Sequence, residues 1–570
     1  MRKFAELWTQ AGRALSGDPW QEYPRPSLRR DSYLNLNGMW EFAVGDAACF
    51  PERYDRTIRV PFPPESLLSG VHEQFPEERA LYYRRRFLLP AGFVRRRVLL
   101  HFGAADQIAE VWLNGAALGA HTGGYEPFTF DVTDALQEEN VLLVRVTDRL
   151  ETHVLPYGKQ RRRRGGMWYT PVSGLWQTVW LESVPEEYVR AVRAETEGNR
   201  VRLFVEGVQE GVVRVRTPQG VLEQPFKGSC AALTLQAPRL WSPEDPYLYE
   251  TEIETAQDRV QTYFALRTLE IRTENGQPRL CLNGKPYFFH GVLDQGYWSD
   301  GLFTPASPAC FEDDILAMKR LGFNTLRKHI KVEPELFYYA CDRLGMIVFQ
   351  DMVNNGRYSF LSDTALPTLG LKIRNDRRMH RDAETRRQFR RSMEQTVRRL
   401  RKHPCVCLWT IFNEGWGQFD GQAQYEALRE LDDTRFIDTA SGWFRCGESD
   451  VESLHIYFRP VRLPKSEKPL VLSEFGGYSC KPEGHVFNTE KTFGYRFFKE
   501  QESYMDALER LYLEQILPAR EKGLCAAIYT QLSDVEDETN GLLSYDRAVC
   551  KADEGRMRAV AQRLCSEIFP

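Results

Sequence analysis

From about residue 271 to the end of the chain, short apolar runs alternate with segments of helical pattern. Eight runs of this kind occur, at 287–289, 324–326, 346–349, 406–412, 436–438, 454–456, 470–472 and 526–529. Strands that alternate with helices form a parallel sheet, because each crossover helix returns the chain to the same edge. Eight such units in about 300 residues match the strand number and the length of a (β/α)8 barrel.

The first 270 residues have a different pattern, which is typical of all-β domains. Alternating runs such as 109–113 are followed by Asn114-Gly115, and Asn-Gly between apolar runs indicates a hairpin. A second β region, at 186–270, has the length of a small immunoglobulin-like sandwich. The sequence therefore predicts a jelly-roll β-sandwich at 1–185, an immunoglobulin-like β-sandwich at 186–270 and a (β/α)8 barrel at 271–570.

Composition narrows the classes of partner. The 75 basic and 79 acidic residues give a formal net charge of −4, which argues against a nucleic-acid or membrane-surface partner. No run approaches the roughly 20 apolar residues of a membrane span, and the first residues lack the apolar core of a signal peptide. The twelve cysteines are scattered without zinc-site spacing. We therefore expect a cytoplasmic address, no cofactor and no metal, and the sequence leaves a homo-oligomer open.

Two glutamates follow predicted barrel strands at the edge where barrel enzymes build their sites. Glu414 comes after the run LWTIF and Glu474 after LVL. An ionisable group just past a buried strand is costly unless it has a task. The fourth and seventh strands lie across the barrel mouth from each other, and glycoside hydrolysis needs two carboxyl groups that flank one bond. No GxSxG, P-loop or GxGxxG motif accompanies a suitable strand, so serine-hydrolase and nucleotide chemistry are disfavoured.

Further polar and aromatic side chains follow the predicted strands and are candidates for binding a substrate. They are Asp294, Gln295, Trp298, Arg327, His329, Asp351, Asn413, Trp416 and Tyr457. Two charged runs are assigned to solvated loops. The basic run 161–164 is interpreted as a loop rather than a binding patch, and the acidic run 534–538 as a loop rather than a metal site.

Several longer motifs occur in a characteristic order. LNLNGMWEFAV, LYYRRRFLLP, VWLNGAALGAHTGGYEPFTFDVT and SGLWQTVWLE precede residue 185, and LWSPEDPYLY, LNGKPYFFHGV, FNEGWGQ and VLSEFGG follow it. In this combination the chain resembles glycoside hydrolase family 2 over nearly its whole length. The resemblance implies that Glu414 is the general acid/base and Glu474 the nucleophile. It also implies that Asn413 binds the 2-hydroxyl of the sugar, and that Arg327 and Tyr457 keep the nucleophile ionised and aimed.

The sequence departs from well-known members of that family in ways that bear on the sugar. Their Arg-x-x-His-Tyr-Pro after the second strand is replaced by Arg327-Lys328-His329-Ile330-Lys331, and Tyr529-Thr530-Gln531 stands where a tryptophan usually ends the eighth strand. The Asn-x-Lys element with which the family's β-glucuronidases bind the uronic carboxylate is absent from the last third. Cations that could replace it are Lys328, Lys331, Arg374, Arg377 and Arg378.

The sequence thus predicts a retaining exo-β-glycosidase with a carbohydrate substrate. Galactose is the first expectation for the terminal sugar, a galactofuranoside or arabinofuranoside the next, and a glucuronide is disfavoured. A catalytically silent carbohydrate-binding protein and a transglycosidase are the alternatives. The long segment 353–382, which contains Pro367, is expected to wall the pocket and to restrict the enzyme to chain ends.

Overall fold

A computed structural model describes residues 4–366 and 375–566. Two β-sandwiches precede a parallel eight-stranded barrel, so the predicted fold class is confirmed. The boundaries after residues 185 and 270 stay predictions. Pro367 and Arg374 lie outside the described residues.

The jelly roll pairs a six-stranded antiparallel sheet with a four-stranded one. Along Ile108–Leu113 every second residue is buried, because alternate side chains of a strand point to opposite faces. In sheet order the strands of the larger sheet are Arg56–Val60, Gly38–Asp46, Arg79–Leu88, Glu139–Thr147, Ile108–Leu113 and Ala116–Thr122, and those of the smaller sheet are Tyr33–Asn35, Val179–Val184, Arg97–Phe102 and Phe128–Asp131. Ala105–Asp106 pairs with Gly174–Leu175 beside them.

The second sandwich packs a three-stranded sheet against a four-stranded sheet around a small valine-rich core. Its strands are Ala191–Glu197, Arg200–Glu206 and Cys230–Thr234 in one sheet, and Gly220–Lys227, Glu210–Thr217, Tyr249–Glu254 and Arg259–Phe264 in the other. Val201, Val213 and Val215 are fully buried between the sheets. A three-stranded meander, Leu269–Glu274, Gln277–Leu282 and Lys285–Pro286, then leads into the barrel.

The barrel strands, numbered β1 to β8, are Phe289–Asp294, Thr325–Lys328, Ile347–Asp351, Val406–Asn413, Phe436–Ser441, Glu452–Ile456, Leu470–Gly476 and Leu524–Thr530. They pair in parallel in the order β5-β4-β3-β2-β1-β8-β7-β6. The seam between β5 and β6 is bridged by side chains: the hydroxyl of Ser441 lies 3.3 Å from that of Ser453 and 2.9 Å from Nε2 of His455. β1 begins at Phe289, so most of the run predicted at 287–289 precedes the strand.

Helices on the outside of the barrel connect its strands. Ala383–Leu400 begins where the side chain of Asp382 accepts a hydrogen bond from the backbone of Thr385 at 2.7 Å, and Glu335–Leu344 ends at the left-handed Gly345. The other α-helices of the described residues are Ala309–Arg320, Gly421–Leu431, Gln501–Leu511, Leu517–Glu521 and Glu554–Cys565 in the barrel domain, and Gln10–Ala14 ahead of the jelly roll. Within the described part of the chain, no helix has the length and apolarity needed to span a bilayer.

Candidate active site

Glu474 lies in β7 near the mouth of the barrel and is 5% exposed. The hydroxyl of Tyr457 donates to its Oε2 at 2.5 Å, and Nη1 of Arg327 donates to its Oε1 at 3.0 Å. Burial alone would raise the pKa of Glu474, but the electrostatic effects of the nearby His455 and Arg327 outweigh it and hold that pKa at about 2. Glu474 is therefore an ionised carboxylate at neutral pH, as a nucleophile must be.

Arg327 connects three strand ends through one guanidinium group. It extends from β2 with 1% exposure, and its Nη2 donates to Oδ1 of Asn413 at 2.9 Å. Its Nε donates to Oδ1 of Asp351 at 3.0 Å, and Oδ2 of that aspartate lies 2.7 Å from Nδ1 of His329. Asp351 and His329 therefore position Arg327, which in turn holds both Glu474 and Asn413.

Glu414 stands in the turn that follows β4, with a left-handed backbone at φ 51°. The next residue must be glycine, because a Cβ on Gly415 would lie 2.1 Å from the ring of Phe444. Among the described residues, the carboxylate of Glu414 has one hydrogen-bond partner, Nδ1 of His455 at 2.9 Å. The side chain is partly exposed, which leaves its second oxygen available to a bound substrate.

His455 is a site residue that the sequence analysis missed. It lies between the two glutamates, because its Nε2 is 3.6 Å from Oε1 of Glu474 while its Nδ1 binds Glu414. Nε2 also hydrogen-bonds Ser441, which donates onward to Ser473. A signal was present in the sequence: His455 is two residues before Tyr457, and residues i and i+2 of a strand point to the same face.

The two glutamates are close together. One donor atom from each of Glu414, His455 and Glu474 lies within 4.8 Å of the other two. Within the described part of the chain this is the one cluster whose residue types and spacing also suit a metal ion. The guanidinium of Arg327 contacts Glu474 and would repel a cation there.

The remaining predicted site residues divide into two groups. Trp416 is buried close to the pocket, with a ring nitrogen that has no hydrogen-bond partner. Gln295 donates to Gln531 at 2.7 Å and so joins a polar network at the end of β8. Asp294 and Trp298 are instead part of a separate small pocket that also includes Lys328, to which Asp294 is ion-paired. The structure does not bring those two residues to the glutamates, because the side chain of Asp294 is engaged with Lys328 and that of Trp298 packs against Phe311.

A segment of the jelly roll, residues 156–172, lies over the mouth of the barrel, and we call it the jelly-roll arm. The backbone nitrogen of Tyr157 donates to the carbonyl oxygen of Asn354 at 3.1 Å, and the hydroxyl of Tyr157 donates to the carbonyl oxygen of Gly356 at 2.8 Å. Further along the arm, Trp168 stacks on Trp416 with ring centroids 5.1 Å apart. The arm therefore forms part of the wall of the catalytic pocket.

The acidic run 534–538 is a loop, as the sequence indicated, but it is buried rather than solvated, and Arg164 of the partly exposed basic run pairs with it. Arg164 of the arm donates to Glu536 at 3.0 Å and to Asp537 at 3.3 Å, and the hydroxyl of Tyr169 donates to Glu538. The whole run 534–538 is buried beneath the arm.

The described part of the segment 353–382 also reaches the pocket. It forms a short π-helix, Phe360–Ala365, and the ring nitrogen of Trp443 donates to the carbonyl of Asp363 at 3.2 Å. The ring of Trp443 in turn lies 5.7 Å from that of His455. This part of the segment is therefore linked through Trp443 to His455, which lies between the two glutamates.

Comparison with known families agrees with this architecture. The model of the glycosyl hydrolases family 2 TIM barrel domain matches residues 271–553. The family's galactose-binding domain-like model matches 69–170, and its central domain model matches 189–267. The chain belongs to glycoside hydrolase family 2 and is a glycoside hydrolase.

Individual relatives include enzymes for neutral and for acidic sugars. The β-glucuronidase of Felis catus is 26% identical over 470 residues, which cover 72% of this chain and 67% of that protein. The β-galactosidase of Thermoanaerobacter pseudethanolicus is 24% identical over 434 residues, which cover 70% of this chain. The matched region is 53% of that β-galactosidase, so this chain spans about half of its length.

Solved structures show the same fold. The β-D-glucuronidase of Dictyoglomus thermophilum superposes with a TM-score of 0.71 at 18% identity, covering 96% of this chain and 99% of that one. A β-galacturonidase of Eisenbergiella tayi, bound to galacturonate, gives a TM-score of 0.65 at 17% identity with the same coverage.

Proposed function

We propose that this protein is a retaining exo-β-glycosidase, with Glu474 as nucleophile and Glu414 as general acid/base. The observation that carries the proposal is the closeness of the two carboxylates, which have oxygens within 4.8 Å of each other. Retaining enzymes hold their carboxyl groups about 5–5.5 Å apart, whereas inverting enzymes leave roughly 6.5–9.5 Å for a water molecule.

The environments of the two glutamates support this division of roles. Glu474 is held ionised and aimed by Arg327 and Tyr457, which suits attack on the anomeric carbon. Glu414 is partly exposed and has one free oxygen, which suits proton donation to the departing oxygen. Glu414 then removes a proton from the water that hydrolyses the glycosyl-enzyme, so the proton given in the first step is recovered in the second.

The position of Asn413 supports contact with the sugar ring. Its Oδ1 accepts from Arg327, so the amide is turned with its nitrogen away from the guanidinium and free to donate. A hydrogen bond from Asn413 to the 2-hydroxyl would strengthen as the oxocarbenium-like transition state forms. Exo action is supported by the walls that the jelly-roll arm and the segment at 360–365 form around the pocket.

Two classes of terminal sugar have support. Galactose remains a candidate because the Asn-x-Lys element is absent and one relative is a β-galactosidase. A hexuronic acid is better supported, because the names of the Felis catus, Dictyoglomus thermophilum and Eisenbergiella tayi proteins are those of a β-glucuronidase, a β-D-glucuronidase and a β-galacturonidase. The sequence-based expectation of a neutral sugar therefore becomes the second candidate.

The stereochemical outcome tests the proposal. Proton NMR of an aryl β-glycoside digest, recorded before mutarotation, is expected to show the β-anomer of the released sugar first. The first appearance of the α-anomer would mean inversion and would contradict the roles given to Glu414 and Glu474.

A further inference from the structure

The jelly-roll arm places a lysine in the catalytic pocket without a counter-ion. Lys159 is 8% exposed, and its Nζ lies 5.7 Å from the ring centroid of Trp416 and 5.7 Å from that of Tyr169. Throughout residues 4–366 and 375–566, no side chain or backbone group forms a salt bridge or a hydrogen bond with this ammonium group. Burying a cation without an anionic partner is costly. A bound anion would therefore stabilise the ammonium group of Lys159 in this position.

Other buried lysines nearby are compensated. Lys328 pairs with Asp294 and Glu333, and Lys331 pairs with Glu333 and also donates to two carbonyl groups. These are two of the cations that the sequence suggested for a uronic carboxylate, and both are engaged. Lys159 is different because, among the described residues, its ammonium group contacts aromatic rings but has no carboxylate or carbonyl group within hydrogen-bonding distance.

The backbone of the arm fixes where the ammonium group lies. A Cβ on Gly158 would be 2.9 Å from the carbonyl oxygen of Ile330, so the arm lies directly against the loop that follows β2. Burial and the charge of Lys159 together lower the pKa of the neighbouring His329 to about 4, which keeps that imidazole neutral. Lys159 therefore adds its charge on the β2 side of the pocket, whereas Glu414 and Glu474 stand on β4 and β7.

One carboxyl group faces the same region. Glu538, in the loop after β8, accepts hydrogen bonds from Tyr169 and, at 3.2 Å, from Gln531. Burial raises the pKa of Glu538 even though the charge of Lys159 opposes the rise. Both donors bind Oε2 of Glu538, and no hydrogen bond or salt bridge joins this carboxylate to Lys159 in the described part of the chain, so it offsets the ammonium charge only in part.

We propose that Lys159 binds the carboxylate of a terminal hexuronic acid, so that the jelly roll and not the barrel selects an acidic sugar. This inference rests on the proposed β-glycosidase function and names its substrate class. Nζ of Lys159 lies 5.7 Å from the ring centroid of Trp416, which follows Glu414 in the same loop, so the carboxylate of a sugar bound at the two glutamates is the anion that this ammonium group would meet. The rings of Trp416 and Tyr169 exclude water around the ion pair and strengthen it.

The test compares wild type, Lys159→Met and Lys159→Arg on matched 4-nitrophenyl β-glucuronide, β-galacturonide, β-glucoside and β-galactoside. We expect a uronide to be the preferred substrate of the wild type. Lys159→Met should lower kcat/KM for that uronide by about 100-fold, as when one partner of a buried charge pair is removed. Its effect on the neutral sugar of the same configuration should be several-fold at most, and Lys159→Arg should retain part of the preference.

Arg161→Met is the matched control, because it removes one positive charge from the same arm but from the face of Trp168. It should change kcat/KM for acidic and neutral substrates by the same factor. As a second measurement that needs no variant, free glucuronate or galacturonate should inhibit the wild type more strongly than glucose or galactose.

The outcomes separate the two proposals. A wild type that prefers a neutral sugar and is inhibited equally by neutral and acidic sugars overturns the role of Lys159 and leaves the glycosidase intact. Equal losses on both substrates in Lys159→Met overturn it as well. A folded wild type that hydrolyses none of the four glycosides contradicts the proposed function itself.

Discussion

The strand ends of the barrel and the jelly-roll arm both form the pocket, but they are built in different ways. At the strand ends, Arg327, Asn413 and Glu474 are fixed by hydrogen bonds to one another, on strands whose every residue is buried. The arm is irregular, and ion pairs to a loop of another domain hold it in place. Reactive groups need sub-ångström placement, which strands provide, whereas a loop can vary in sequence and so change the substrate that is accepted.

The comparison predicts that changes at the strand ends lower turnover of every substrate, while changes in the arm alter binding and preference. Glu414→Ala is expected to have the largest effect among the following variants, about 10²–10⁴-fold in kcat for substrates with poor leaving groups. Activated aryl glycosides should lose much less, because their phenolates leave without protonation. Azide should restore turnover of those activated substrates by replacing the water that Glu414 activates.

The same leaving-group series on Trp168→Ala is the control for that experiment. This arm variant should show the leaving-group dependence of the wild type and no response to azide. If Glu414→Ala behaves in the same way as Trp168→Ala, then Glu414 is not the acid/base.

Arg327→Lys tests whether the guanidinium holds the nucleophile ionised. A lysine cannot maintain the planar contacts to Glu474, Asn413 and Asp351 together, so we expect kcat/KM to fall by about 100-fold at neutral pH. The pKa of Glu474 is held at about 2 in the wild type by His455 and Arg327 against the effect of burial. Weakening the contact raises that pKa, so the acidic limb of the pH profile of kcat/KM should move to higher pH.

An acidic limb that stays in place in Arg327→Lys while activity falls would assign Arg327 a packing role only. His455→Asn is a useful companion, since it removes the imidazole whose electrostatic effect also lowers the pKa of Glu474. We expect its acidic limb to move in the same direction.

Trp168→Ala probes the arm as a binding surface. Loss of the stack on Trp416 removes about 0.5–1.5 kcal/mol of aromatic interaction, which corresponds to roughly a 2- to 13-fold increase in KM. Because this wall does not touch the reacting atoms, kcat should remain within about twofold, as expected for an interaction made equally in ground and transition states. A fall in kcat with unchanged KM would remove the distinction between the arm and the strand ends.

Arg164→Met should have the smallest effect on chemistry and act mainly on docking of the arm. It leaves Glu536 and Asp537 buried without their cation, at a cost of about 1–3 kcal/mol in local stability. The measurement is hydrogen exchange or limited proteolysis of the segment 156–172, which should open more readily than in wild type. Unchanged protection of the arm would show that aromatic packing, rather than the ion pairs, holds it.

The sequence was informative where local patterns decide the structure. Period-two apolar runs and the alternation of strands with helices predicted the fold class, and Glu414 and Glu474 stood out because each directly follows such a run. Arg327, Asn413 and Tyr457 were selected for the same reason. His455 shares the strand face of Tyr457 and could have been found from that spacing.

The arm could not have been predicted in this way. Arg164 and Glu536 are 372 residues apart, and each belongs to a charged run that is typical of solvated loops when it is considered alone. Their burial depends on how the jelly roll docks on the barrel, which no local pattern encodes. The same docking places Lys159 in the pocket. The sequence did not show this position, and the expectation of a neutral sugar was therefore made without taking Lys159 into account.

The most direct test of the account is covalent trapping of the nucleophile. A 2-deoxy-2-fluoro β-glycosyl fluoride, in the sugar configuration that the substrate panel favours, should inactivate the enzyme by slowing hydrolysis of the glycosyl-enzyme. Peptide mapping by mass spectrometry is expected to find one sugar per chain, attached to Glu474 within the peptide that contains VLSEFGG. A label on Glu414 or on another residue, or turnover without any trapped intermediate, would contradict the account.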